Sequence, residues 1–212
     1  MTNEKLLELA YIIAQNHAPR EFERFRQAPE NYIKNAFDPV LDAAAVLIMD
    51  ARAGMDKKAG KSGILSAAKR IIKNAQKSAR EALSGAWIDS SGRQCICDGF
   101  RAIRLKDALN GLPSSDGVNI DKFFSSKHGD ALRLPSVSEL KEIITQSKAA
   151  GEKIALYDFG DGLPHVNAAF LLDVLQVLPG CVAYAGERAL ISPIYFKSDN
   201  GDGVLCPIRK DK

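Results

Sequence analysis

A change of hydrophobic period at Gly85 is the feature that most narrows what this chain can fold into. Before it, Leu65, Ala68, Ile72, Ala75, Ala79 and Leu83 recur at three- and four-residue spacing over residues 64–83, the repeat of an amphipathic helix with a narrow apolar face. After it come short apolar runs, "AWID", "RQCIC" and "FRAIRL", separated by "SSG" and "DG". Asp-Gly readily takes the positive φ angles of a tight hairpin turn, so these runs predict a three-stranded meander. A helix that feeds a meander belongs to the α+β class.

The same order returns further on. "KDALNGLPSSDGVNIDKFFSSKHGD" is a long Gly- and Ser-rich connection, and "LPSVSELKEIITQSKAAG" a helix with a Ser136/Glu139 capping box and a stop at Gly151. We assign both to an insertion at about 106–150. "EKIALYDF" then reads as a strand, "VNAAFLLDVLQVLPG" as a helix ended by Pro179 and Gly180, and "CVAYAG", "ALISPIYFKS" and "GVLCPIR" as strands. The "DNGDG" turn lacks the alternating ligands and closing glutamate of a calcium loop. Two similar helix-plus-meander halves result.

Residues 1–60 carry helical patterns and no strand signal. Leu6, Leu7, Leu9, Ala10, Ile12 and Ile13 form one apolar band, Pro19 interrupts it, and a second runs through Val40, Leu41, Ala44, Leu47 and Ile48. The following "GMDKKAGKSG" resembles a phosphate loop, but Gly54 to Gly60 encloses five residues where that loop needs four, and a helical pattern precedes it. The segment reads as a flexible, lysine-rich linker between a helical region, 1–60, and an α+β domain, 61–212.

With 212 residues, 46% hydrophobic and 26% charged, the chain can bury roughly 70% of its unfolded surface without a disulfide or metal staple. Cys95, Cys97, Cys181 and Cys206 include no C-x-x-C pair and read as free thiols of a reducing cytosol. The first residues lack a signal-peptide pattern, and no apolar run approaches the roughly 20 residues that span a bilayer; a cytoplasmic location is expected. The net charge of +3 and pI of about 8.6 decide little. Charge is instead concentrated in residues 64–83, where Lys69, Lys73, Lys77 and Arg80 share a helix face, with Arg70 beside them, against one acid, Glu81.

No catalytic constellation is legible. His17, His128 and His165 lie in separate contexts, Asp158, Asp161 and His165 share "DFGDGLPH" without any accompanying kinase signature, and Cys95 and Cys97, two apart on a strand, share one face of the sheet. We expect no enzyme, cofactor or metal.

Taken together, "CICDGFRAIRL", "VNAAFLLDVLQVLPG" and "SPIYFKSDNGDGVLCPIRK" resemble, in order and spacing, elements of the bacterial DNA sliding clamp, the beta subunit of the replicative polymerase. The family's Thr-Asp-Gly-His-Arg-Leu-Ala element reads here Cys97, Asp98, Gly99, Phe100, Arg101, Ala102, Ile103, departing from it at Cys97 and Phe100. The resemblance covers about residues 62–212 and implies an N-terminal helical segment followed by one clamp-like (processivity fold) domain of two helix-plus-β-meander halves.

On that resemblance the chain is a non-enzymatic DNA sliding-clamp-like protein. Lys69, Arg70, Lys73, Lys77 and Arg80 would meet phosphates of duplex DNA without reading sequence. Cys97, Gly99, Phe100, Arg101 and Ala102, with Val204, Cys206 and Pro207, would line an apolar pocket for peptides of DNA-replication or repair proteins. In the family that pocket forms where neighbouring domains meet, and a ring of family size needs about six such domains, so a homo-oligomer or a non-ring use of the fold is implied. The helices of 1–60 offer a self-association surface. Two alternatives stand beside this: a protein-interaction or scaffold module that keeps the fold without binding DNA, and a turn at Gly99 that is purely structural, with Arg101 or Arg104 paired to a neighbouring acid.

Overall fold

In the computed structural model, residues 1–78, 80–124, 128–188 and 190–208 are described; Ala79 and the basic end of the last hairpin, Arg209 and Lys210, lie outside them. Three helices come first: α1 (Asn3–His17), α2 (Phe22–Gln27) and α3 (Pro39–Lys58). Thr2 caps α1 by accepting from the Lys5 amide, and Asp38 caps α3 by accepting from the Leu41 amide ahead of Pro39. Ala10 and Ala14 of α1 pack with Leu41, Ala44, Ala45 and Ile48 of α3 around the buried Phe25. Leu9, Ile12, Ile13 and Leu47 of the expected apolar bands remain exposed.

The expected linker is not one. α3 continues through Gly54 to Lys58, and only Ala59, Gly60 and Lys61 separate it from α4 (Ser62–Lys77). Gly54 serves packing: a Cβ there would collide with the Asn3 side-chain Nδ2. Nor is the N-terminal region a loose appendage. Asp56, 1% exposed, accepts from the Asn110 and Gly111 amides and the Asn110 side chain, while Glu30 accepts from the Ser114 amide and hydroxyl.

Beyond α4 follow β1 (Trp87–Ile88), β2 (Gln94–Cys97), β3 (Arg101–Leu105), β4 (His128–Leu132), α5 (Val137–Ala149), β5 (Leu156–Asp158), β6 (His165–Asn167), α6 (Ala168–Val177), β7 (Val182–Gly186), β8 (Ile194–Ser198) and β9 (Gly201–Leu205). The chain is thus α+β. The main sheet runs β1-β2-β3-β9-β8-β7-β4 with antiparallel pairing throughout. Two meanders, β1-β2-β3 and β7-β8-β9, are joined through their last strands, Arg101 opposite Leu205 and Leu105 opposite Gly201. The helix before each meander, α4 and α6, covers the same sheet face: Ile71 and Ala68 join Leu171, Val174, Ile96, Ile103 and Phe196 in one core.

Three expectations need correction. The helix read over 64–83 ends at Lys77, and a short 3-10 turn, Glu81–Leu83, carries the chain onward with Leu83 still buried. The insertion is part of the sheet, since β4 extends its edge beside β7, and its Ile120 and Phe124 cover the outer face where Trp87, Cys95, Cys97, Ala102, Tyr195 and Val204 cluster. The strand read in "EKIALYDF" leaves the main sheet and pairs with β6 alone. Ser136 caps α5 as expected, accepting from the Glu139 amide at 3.1 Å.

Candidate functional site: a lysine row and an apolar recess

α4 turns Leu65, Ala68, Ile71, Ile72 and Ala75 inward, so a 3.6-residue repeat leaves Lys69, Lys73 and Lys77 outward. At 1.5 Å rise per residue their Cα atoms stand about 6 Å apart along the axis. Among the described residues none of the three has an ion-pair partner. Arg70 and Arg80 differ. Arg70 bends to α6, its Nε 2.6 Å from Asp173 Oδ1 and its Nη2 2.5 Å from Gln176 Oε1. Arg80 stays exposed, but its Nη1 donates to the Asp98 carbonyl at 2.7 Å. The polar side chains of α6, Asp173 and Gln176, therefore both accept from Arg70.

The β2–β3 turn is built around Asp98, which is fully buried. Its Oδ1 accepts from the Phe100 and Arg101 amides and its Oδ2 from Asn74 Nδ2 and Arg101 Nε, all within 3.0 Å. Arg101 spans from there to α6, donating to Asp173 Oδ2 at 2.7 Å, with its guanidinium 4.1 Å from the Phe170 ring centre. On the other face Arg104 pairs with Asp202 and Asp121 and lies 3.7 Å from the Phe124 ring centre. Both arginines thus find acids, as the structural reading of the turn expects. Gly99 has φ +88°, and a Cβ there would collide with Arg80 Nη1.

The same turn forms one wall of a shallow recess lined by Cys97, Gly99, Phe100, Arg101, Ala102, Val204 and Cys206, with Phe123 and Pro193. Seven of the eight residues expected at a peptide pocket therefore converge on one apolar cavity. Pro207 does not line it, because the tail turns away to bond Ile208 N to the His165 carbonyl at 2.8 Å. Phe123 and Pro193 were not legible: nothing local distinguishes a Phe in a Gly- and Ser-rich connection or a Pro in an inter-strand loop as a pocket wall. Arg101 contributes here while its guanidinium faces the other way, toward Asp98 and Asp173.

The thiols that line the recess are not activated. Burial pushes the Cys97 thiol up to about 11 and also raises that of Cys206, so neither forms the reactive thiolate near neutral pH. His165 Nδ1 lies 3.3 Å from Asp158 Oδ2 across β5 and β6, and among the described residues no nucleophile completes the pair. Among the described residues no group of three or more His, Cys, Asp or Glu side chains is placed to hold a metal, and no helix is long and apolar enough to cross a membrane. Comparison with family models, with curated proteins and with solved structures found no match.

Proposed function

We propose that the chain is a non-enzymatic, clamp-like DNA-associated protein that holds duplex DNA through its phosphates and displays a recess for peptides of DNA-replication or repair proteins. The observation that carries the first half is the row Lys69, Lys73, Lys77, exposed on α4 with no protein acid opposite it among the described residues. Lysines whose Cα atoms step about 6 Å along one helix face suit a run of phosphates and carry no base-specific donor pattern. The doubled helix-plus-meander organisation joined through β3 and β9 supports the clamp-like reading, and the convergence of the turn and tail residues on one apolar recess supports peptide capture.

Encirclement of DNA requires several copies, and the exposed Leu9, Ile12, Ile13 and Leu47 offer the N-terminal helices as the self-association surface. The test is binding to a mixed-sequence duplex at several salt concentrations. Replacing Lys69, Lys73 and Lys77 together with Ala should weaken binding and flatten the log–log salt slope by about three. Absence of duplex binding by the unaltered protein at low salt refutes the DNA half. That result favours a scaffold module, a reading with its own observation: α6 offers no base, and Arg70 and Arg80 are already bonded within the protein.

A further inference from the structure

α1 and α3 run antiparallel, with His17 Nε2 3.1 Å from Asp38 Oδ1 at one end and Lys58 Nζ 3.9 Å from Glu4 Oε1 at the other. One side of this helix pair is covered. Tyr11 packs edge-on against Phe22 and Phe25 against Tyr32, and Arg52 donates to the Tyr11 hydroxyl at 2.8 Å. The other side is bare. Leu9 and Ile13 immediately precede the inward Ala10 and Ala14 of α1, and Val40 and Leu47 precede the inward Leu41 and Ile48 of α3. A step back of one residue turns about 100° around a helix, and in two antiparallel helices that turn leads to the same side of the pair. These four side chains are 36–46% exposed and form one apolar face.

We propose, building on the self-association reading above, that a second copy of the chain covers this face, the two helix pairs meeting as a four-helix bundle. Extent and charge both point to that occupant. α1 is about 22 Å long and two adjacent helices are about 20 Å across, an extent of the same order as the roughly 800 Å² that each partner gives to a standard interface. Lys5 on α1 and Asp50 on α3 border the face, both exposed, and among the described residues neither side chain has an ion-pair partner. Counted from Gly54, against which Asn3 packs, they stand within about 3 Å of one height along the pair. A two-fold axis along the bundle lays α1 of each copy over α3 of the other, so Lys5 of one copy meets Asp50 of the other, twice. Such an isologous contact uses the same patch on both copies and stops at two, so it does not build a ring. Both helices lie outside residues 62–212, which leaves the lysine row on α4 out of the contact.

The experiment is light scattering and sedimentation equilibrium of the full chain over a hundredfold range of micromolar concentrations. A mass of two copies, twice 23.0 kDa, should appear and should not be exceeded. Leu9→Glu together with Leu47→Glu, both at half-exposed positions, should weaken the dimer at least a hundredfold while the helical circular dichroism is kept. Asp50→Lys should weaken it about tenfold, and adding Lys5→Glu to the same chain should restore it, because opposite charges then face each other again. A monomer at every concentration, which reassigns the face to another protein, overturns the proposal. So do masses that keep rising beyond two copies, indifference to the paired glutamates, or failure of the double charge reversal to restore the dimer. Duplex binding by the same proteins separates the two ideas: a dimer that binds no duplex removes the DNA reading alone, and a monomer that binds duplex removes the dimer alone.

Discussion

Arg101 on β3 donates from Nη1 to Oδ2 of Asp173 on α6 at 2.7 Å, with 2% and 8% of the two side chains exposed. Asp98 lies on the other side of Arg101 and Arg70 on the other side of Asp173, so two acids and two bases alternate from the β2–β3 turn to α4. The first meander is thereby bonded to the helix of the second, and the turn that walls the recess is tied to the helix that carries the lysine row. Each charge is compensated by its neighbours, which is the condition for leaving charge inside a protein.

Removing Asp173 leaves Arg101 half-paired in a site with little access to water. Asp173→Ala should cost about 3–5 kcal/mol in denaturant unfolding, a large share of the roughly 5–15 kcal/mol that holds a domain together. Gln176→Ala, which removes only one bond to the half-exposed Arg70, should cost no more than about 1 kcal/mol. Equal effects of the two substitutions would contradict the ranking.

Gly99→Ala tests the turn itself. At φ +88° an alanine is strained by about 1–2 kcal/mol, and its Cβ also displaces the Arg80 guanidinium from the Asp98 carbonyl. The long Arg80 side chain can swing away, so the expected loss stays near the backbone value. A measured loss below about 0.5 kcal/mol would show that the turn does not need glycine.

Asp56→Ala tests the seam between α3 and the sheet domain. It strips the Asn110 and Gly111 amides of their acceptor, at about 1–3 kcal/mol for each donor left dry. Hydrogen exchange at residues 109–111 and along the last turns of α3 should accelerate together. Acceleration at 109–111 alone would mean that the two regions open independently.

Asp89 makes part of the acid stability pH-dependent. Burial acts to raise its pKa, but bonds from the Arg93 and Ser91 amides and the Arg93 guanidinium outweigh it, so the carboxyl titrates below its ordinary 3.8. A depressed folded-state pKa gives stability that is complete above 3.8 and lost as pH falls through the lower folded value. Unfolding curves from pH 5 down to 2 should therefore drop less steeply for Asp89→Asn than for the unaltered protein, and parallel curves would exclude this contribution.

Several local features could be read directly. The α4 repeat, the Ser136 cap, the Asp98-Gly99 turn and the shared face of Cys95 and Cys97 follow from rules that span a few residues. Errors arose where a local rule met a distant contact. Gly54 suggests a break, yet Asn3 packs on it and the helix continues; Arg70 belongs to a basic cluster in sequence, yet Asp173 and Gln176, 103 and 106 residues away, take it.

The amino-acid order alone determined that α4 and α6 are helices, that a meander follows each, and which face of α4 is basic, because periodicity and turn chemistry act within about ten residues. Only the tertiary structure decided that β3 joins β9, that three of the five cationic side chains have no ion-pair partner among the described residues, and that Phe123 and Pro193 complete the recess. Those outcomes depend on strand pairing and on which buried acids need a partner, and both bring together residues that no local pattern connects.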